Sequence, residues 1–453
     1  MIVTLPFQSM RISLFVIATL LVWTTTGFAE AFRILDQSAA ATGQAAAFAA
    51  QADDPSAIHY NPAAMPQLRG IQFSIGTNVI GGQVDFTSSS GTSVEGDFGG
   101  SILNPPPSQV YLTMNLGDLG IASLENWVIG LGVTSPYGIN VEYPDSSPFA
   151  DTITGATLPL IDIKPTVAAR INPYLSVGAG LDLYTFASFL GDGQAEIRCT
   201  GCFGFPAGAK VEANGTDTAL GFNVSLLLTP FRTAEGKPLM NLAFVYRSRA
   251  DLDFHGDILV NGSLFSTATS TLELPQVFTG GLAIWPIRTA IHEWKIEVDL
   301  DYADWNEFQN LNLTLPSGSV VPVPRNYGDS FVVMVGTEHR WLALASLPHW
   351  ELAVRGGYLR SETPIPSRFF EPGVPDADYH ALSLGFGALC KDHGRFLGLI
   401  PCHGVGSTAL GLDLAYQVLL YQTRGITNNV NTGVNGEWDT TIHVGAITLR
   451  VNF

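Results

Sequence analysis

The sequence predicts an all-β membrane protein. Its expected form is a 14-stranded antiparallel transmembrane β-barrel with a small N-terminal helical hatch, or plug, inside the lumen. Three observations lead there. Past residue 70, apolar residues recur with period two to the end of the chain. Glycine is abundant, at 47 of 453 residues, and only 14% of residues are charged, less than a soluble surface usually carries. Beyond the N-terminus, no apolar run reaches the roughly 18–20 residues that a membrane helix needs. A closed barrel is the remaining membrane solution, because backbone groups in lipid must pair internally. The net charge of −18 argues against a nucleic-acid partner.

Residues 1–31 read as a secretory signal peptide. Arg11 is its lone positive charge, 12–22 is the apolar core, and Ala29-Glu30-Ala31 fits a small-x-small cleavage site. The mature chain then begins at Phe32, or at Glu30 if cleavage follows Ala29. The apolar core is too short for a retained anchor, and no cysteine marks a lipoprotein.

Residues 32–70 read as the hatch. Its alanine-rich run, 39–52, suits one or two short helices, since alanine is the best helix former. Asp53-Asp54-Pro55 and Asn61-Pro62 punctuate it. Small side chains suit packing in a confined space; the alternative is a mobile arm.

Residues 71–453 read as the barrel. Trp294, Ile296, Val298, Leu300 and Tyr302 alternate with Lys295, Glu297, Asp299 and Asp301, so a strand here has one apolar and one charged face. In a soluble sandwich the apolar face would point inward. In a membrane barrel it faces lipid and the charges line the interior. Aromatics at the ends of the apolar faces favour the barrel. So do connections that alternate short and long, and a chain end on Phe453 after Ile447, Leu449 and Val451. Such an end is similar to the C-terminal strand read by the barrel assembly machinery of the bacterial outer membrane. Strands are expected near 71–86, 109–116, 127–140, 160–171, 174–190, 218–229, 241–256, 274–287, 294–305, 329–341, 350–360, 376–389, 405–422 and 440–453. The long connections fall outside the cell.

Four cysteines form two close pairs, Cys199 with Cys202 and Cys390 with Cys402. An even count after a secretory signal reads as two disulfides. A zinc site built from Cys390, His393, Cys402 and His403 has the right residue types but not a standard spacing. No metal and no cofactor is assigned.

The chain resembles the FadL-type transporters of Gram-negative outer membranes. These move long-chain fatty acids, and relatives move aromatic hydrocarbons. Asn61-Pro62-Ala63 matches the family's hatch motif. Gly221-Phe222-Asn223, Val245-Tyr246-Arg247-Ser248, Leu274-Pro275, Asp304-Trp305-Asn306-Glu307-Phe308 and Arg355-Gly356-Gly357-Tyr358 match in order along the barrel.

The resemblance implies uptake of a hydrophobic molecule, with outer-membrane lipid and lipopolysaccharide as surroundings. Outer loops would capture the ligand, with Phe203, Phe205, Leu264 and Phe265 as apolar contacts. An internal pocket would hold it near Phe32 and Ile34. It would leave sideways where the third strand kinks, at Pro136 and Gly138. Where family members carry basic residues, this chain has Phe186 and, near Arg325, Gly328, which leaves room for a neutral ligand. Arg247 and Arg355 are expected to pair with Glu297, Asp299 or Asp301 across the lumen. Other readings are a diffusion porin, which would lack the plug, and an outer-membrane lipid-modifying enzyme. The enzyme would need a serine–histidine pair that the sequence does not place.

Overall fold

A computed structural model describes residues 30–98, 101–102, 108–187, 193–396, 398–404 and 407–453. Most of the expected signal peptide, and parts of the loops at 87–108 and 191–217, lie outside the described residues.

Fourteen antiparallel strands form the wall. They are β1 (Ile71–Ser88), β2 (Gln109–Asn115), β3 (Trp127–Thr134), β4 (Gly155–Asn172), β5 (Leu175–Phe186), β6 (Ala219–Arg232) and β7 (Pro238–Arg247). They continue as β8 (Val277–Arg288), β9 (His292–Ala303), β10 (Ser330–Trp341), β11 (Trp350–Ser361), β12 (Tyr379–Lys391), β13 (Ala409–Tyr421) and β14 (Gly436–Asn452). Each pairs with the next. The ring closes where β1 pairs with β14, from Gln72 against Asn452 to Ser88 against Gly436. Closure leaves no unpaired edge in lipid.

The burial pattern decides between barrel and sandwich. On β9, Lys295, Glu297 and Asp299 are at most 1% exposed, while Val298 and Leu300 are 40% and 47% exposed. A sandwich would bury the opposite set. The outward face also carries an aromatic belt. Phe222, Tyr246, Phe278, Tyr302 and Phe331 sit side by side on β6 to β10, with neighbouring ring centroids 4.9–6.1 Å apart. Amphipathic rings favour the membrane interface.

Residues 30–68 pack inside this wall. The segment has two one-turn helices, α1 (Ala39–Thr42) and α2 (Ala57–Tyr60), and a 3₁₀ turn over Pro62–Gln67. Asn61 shapes the turn: its Oδ1 accepts from Ala63 N at 3.0 Å, and its Nδ2 donates to Ala49 O at 2.8 Å. Wall glycines let the segment's backbone come close. A Cβ on Gly178 would sit 2.5 Å from Ala63 N, and one on Gly357 would collide with Gln44.

The third strand breaks where the kink is expected, into Trp127–Thr134 and Gly138–Glu142, and two other expectations change. The seventh ends at Arg247, not near 256. Ser248 stops it by hydrogen-bonding back to Phe222 through both its amide and its hydroxyl. The stretch after it, Ala250–Val260, pairs with Ser263–Leu274 as an outer hairpin. Alternation persists there, so the pattern alone does not mark where the wall stops. Finally, Arg247 and Arg355 do not pair with the β9 carboxylates. Arg355 binds Glu338 and Asp413, each at 2.7 Å, and Arg247 faces Asp182 and donates to His59 O. The packed segment fills the lumen, so each arginine finds its carboxylates on nearby strands.

Both cysteine pairs are disulfides. The Cys390–Cys402 bond takes both sulfurs out of the reach of a metal. Among the described residues, no cluster of three or more His, Cys, Asp or Glu could hold one.

Candidate functional site

The interruption in the third strand, Ser135 to Tyr137, has a proline at its centre, which cannot donate to a ladder. After Thr134 the backbone turns inward, burying Tyr137, and resumes as Gly138–Glu142. That piece pairs with β4, from Gly138 against Pro159 to Glu142 against Gly155. On its other side, the one ladder contact among the described residues is Asp97 with Glu142.

The leading arm of the packed segment takes up the backbone groups that this break frees. Ile34 N donates to Pro136 O at 2.8 Å, and Gly138 N donates to Phe32 O at 3.0 Å. Gln37 completes the seam. Its Nε2 donates to Ser135 O at 3.0 Å, and its Oε1 accepts from Ser135 N at 3.2 Å. The arm thus forms a short antiparallel bridge to the kink.

Two cavities meet at this arm. The upper one, about 110 Å³, lies under the outer hairpins and is lined by Ile197, Phe254, Leu272, Leu311, Arg325 and Tyr327 among others. The lower one, about 450 Å³, runs from Phe32, Ile34 and Asp36 of the arm to Ile80, Phe98 and Ile139 of the wall beside the kink. Phe32, Ile139, Leu158 and Val374 line both. The Phe32 ring is held edge-on to Trp305 at 4.8 Å, with Tyr137 and Phe308 near 6 Å.

The cations near these cavities are engaged. Arg33 binds Glu30 at 2.8 Å and Asp301 at 2.5 Å. Arg325 binds Glu371 at 2.6 Å. Arg424 donates to the carbonyls of Asp376 and Ile365. The carboxyls are less well matched. Burial pushes Asp36 up to about 6 and Asp376 up to about 7.

The residues named from sequence fall into three groups. Phe32, Ile34 and Arg325 line the cavities, and Pro136 and Gly138 form the kink. Phe186 lines neither cavity; it is buried against Phe254, with centroids 6.0 Å apart. Phe203 and Phe205 pack on the Cys199–Cys202 disulfide. The Phe205 ring meets Phe265 at 4.8 Å, while Leu264 and Phe265 stay 64% and 58% exposed at a hairpin tip. The two outer segments pair through Val211 against Val260, so they form one sheet above the upper cavity. Asn61, Pro62 and Ala63 line neither cavity.

The family model described as "Outer membrane protein transport protein (OMPP1/FadL/TodX)" matches residues 20–393. The chain belongs to this family. Membership and the 14-strand wall place it in the outer membrane as a transport protein. One curated relative is the long-chain fatty acid transport protein of Escherichia coli O6:H1. It is 24% identical over 420 residues, covering 84% of this chain and 88% of the relative. A FadL homologue from Pseudomonas aeruginosa has the same fold. Its TM-score is 0.72 at 16% identity, over 94% of this chain and 100% of that one. The Pseudomonas putida toluene transporter TodX gives 0.56 at 17% identity, over 88% and 94%. Sequence reasoning about the family missed Gln37, Asp36 and Asn78, whose amide donates to Asp36 O. The polar Asp36-Gln37 pair between Ile34-Leu35 and the alanine run was the available signal.

Proposed function

We propose that this protein takes up hydrophobic small molecules across the outer membrane and releases them sideways into it. Apolar residues at the outer hairpin tips, Leu264 and Phe265, make first contact. The molecule enters the upper cavity, passes Phe32, and settles in the lower one. It leaves at the kink, where Ile80 and Ile139 border both cavity and wall. Of the relatives' named substrates, toluene is apolar and a long-chain fatty acid is an apolar chain with one carboxyl end.

The observation that carries this reading is the lower cavity itself. It lies between a hatch arm and the one place where the described third strand leaves its ladder. A displacement of the arm by a ligand would break two backbone hydrogen bonds at the kink. The same ligand that fills the cavity would thereby loosen the wall beside it. A polar lipopolysaccharide layer excludes apolar molecules, and an aqueous pore would not deliver them to lipid; a lateral route meets both demands.

The test is extraction of the purified protein and mass spectrometry of what it holds, with conductance measured in a planar bilayer. A bound lipid or hydrocarbon with a closed lumen is the expected result. An empty protein with a large open conductance would favour a diffusion porin.

A further inference from the structure

The lower cavity has a mostly apolar lining with acidic groups in it. Ile34, Ile139, Leu158, Leu419 and Ile442 supply apolar wall, and Asp36 and Asp376 supply carboxyls. Asp36 is 6% exposed, and its Oδ1 makes no close hydrogen bond; the Thr42 hydroxyl is the one donor beside its carboxyl. Its backbone oxygen is already bound by Asn78, which fixes the residue in place. Asp376 is 4% exposed; its Oδ2 accepts from Ala31 N at 3.2 Å and from Thr363 Oγ1 at 2.8 Å. A buried acceptor without a donor is costly, and a ligand that supplies the donor removes that cost. Glu30, also beside the cavity, is occupied by Arg33 and Ser330.

An anionic head group would find the reverse of what it needs here. Arg33 already carries two carboxylates, and Arg424 is turned onto backbone carbonyls. The incoming charge would stand next to Asp36 and Asp376 with no free guanidinium between them.

We propose that the lower cavity selects apolar molecules whose one polar end donates a hydrogen bond, an alcohol, phenol or amine, over carboxylates and over plain hydrocarbons of equal length. Asp36 is the acceptor that reads the head group. This rests on the lower cavity being the ligand chamber.

The test uses the full mature chain in lipid nanodiscs at pH 8. Tryptophan fluorescence reports binding, because Trp305 touches Phe32 at the cavity. Decanol, decylamine, decanoate and decane are titrated separately. Decanol and decylamine are expected to bind about tenfold or more tightly than decane and decanoate, as one satisfied buried acceptor implies. Decylamine ahead of decanol would mean that Asp36 meets its ligand ionised; the opposite order would mean a neutral head group. Asp36→Leu should abolish the preference for decanol over decane. Asp36→Asn, which keeps the shape of the side chain, should lower decylamine binding and admit decanoate. Decanoate binding tightest, or decane equal to decanol, would overturn the head-group assignment while leaving the chamber in place. A folded barrel that binds none of the four would overturn the chamber as well.

Discussion

The body of the hatch and its leading arm are neighbours in sequence, yet different chemistry holds them. The body is clamped. Phe48 N and Ala49 N both donate to Asp299 Oδ2 at 2.8 Å. Ala50 N and Gln51 N donate to Glu297 Oε1 at 2.6 and 3.2 Å. Four successive amides thus end on two wall carboxylates, and such charge-assisted bonds are stronger than neutral ones. The arm has a single bond of that kind, Ala31 N to Asp376 Oδ2. It is otherwise tied by two backbone bonds to a broken strand, by Gln37, by Asn78 on Asp36 O and by the Arg33 ion pairs, and it borders open volume. The difference teaches what the proposed route asks of one segment: its body is bonded to regular wall, and the part beside the lower cavity is bonded to the wall's interruption.

The largest effect should come from breaking the clamp. Asp299→Ala leaves two buried amides without acceptors, at about 1–3 kcal/mol each. The body should loosen, so that ion conductance in a planar bilayer rises and residues 37–68 become open to protease. A variant that stays closed and protected would show that packing alone secures the body.

Packing is tested separately, with a smaller effect. Gly357→Val would drive a side chain into Gln44, whereas Gly280→Val meets open space. Overpacking costs about 1–3 kcal/mol, and the exposed change should stay within about 0.5 kcal/mol. Urea midpoints of the two variants, followed by the gel mobility of the folded barrel, measure the gap. Equal midpoints would mean that the body shifts to accommodate the new methyls.

The arm is probed at the kink. Pro136→Val with Gly138→Val restores one ladder donor, at 136, and strand propensity at both positions, worth on the order of 1 kcal/mol. Uptake of a labelled apolar substrate should fall several-fold while the barrel stays folded. Unchanged uptake would remove the kink from the exit route.

Much of this contrast was legible in the sequence, and the limit has a physical cause. Period two exposes which face of β9 is charged, because alternate residues of a strand must point opposite ways. Proline and glycine mark the kink because their backbone chemistry is local. The small side chains of 39–52 signal a tight space for the same reason. The partners of the charges were not legible. Asp299 reads as one more lumen carboxylate, and only the folded chain brings the amides of 48 and 49 to it. Arg355 was assigned to the wrong strand because alternation gives the face on which a charge lies and not which charges stand beside it around the ring. Phe186 occupies a place where family members bind ligand, yet a 250–274 hairpin, invisible to alternation, buries it.

The smallest expected effect separates arm from body by pH. Burial holds Asp36 and Asp376 above the ordinary carboxyl range, at about 6 and about 7. A carboxyl whose pKa is raised on folding binds more protons in the folded state between its two pKa values. Docking of the arm is therefore tightest at low pH, and it weakens as pH climbs from about 4 toward 7. The loss should be on the order of 1 kcal/mol for each group. Ala31 N, which donates to Asp376, lies in the part affected. Hydrogen exchange of amides 31–38, corrected for intrinsic rates, should lose protection between about pH 4 and pH 7, and amides 48–51 should keep theirs. Asp36→Asn with Asp376→Asn should flatten the arm's profile without changing the body's. If both regions lose protection together in the parent chain, the arm and the body open as one unit, and the distinction between them fails.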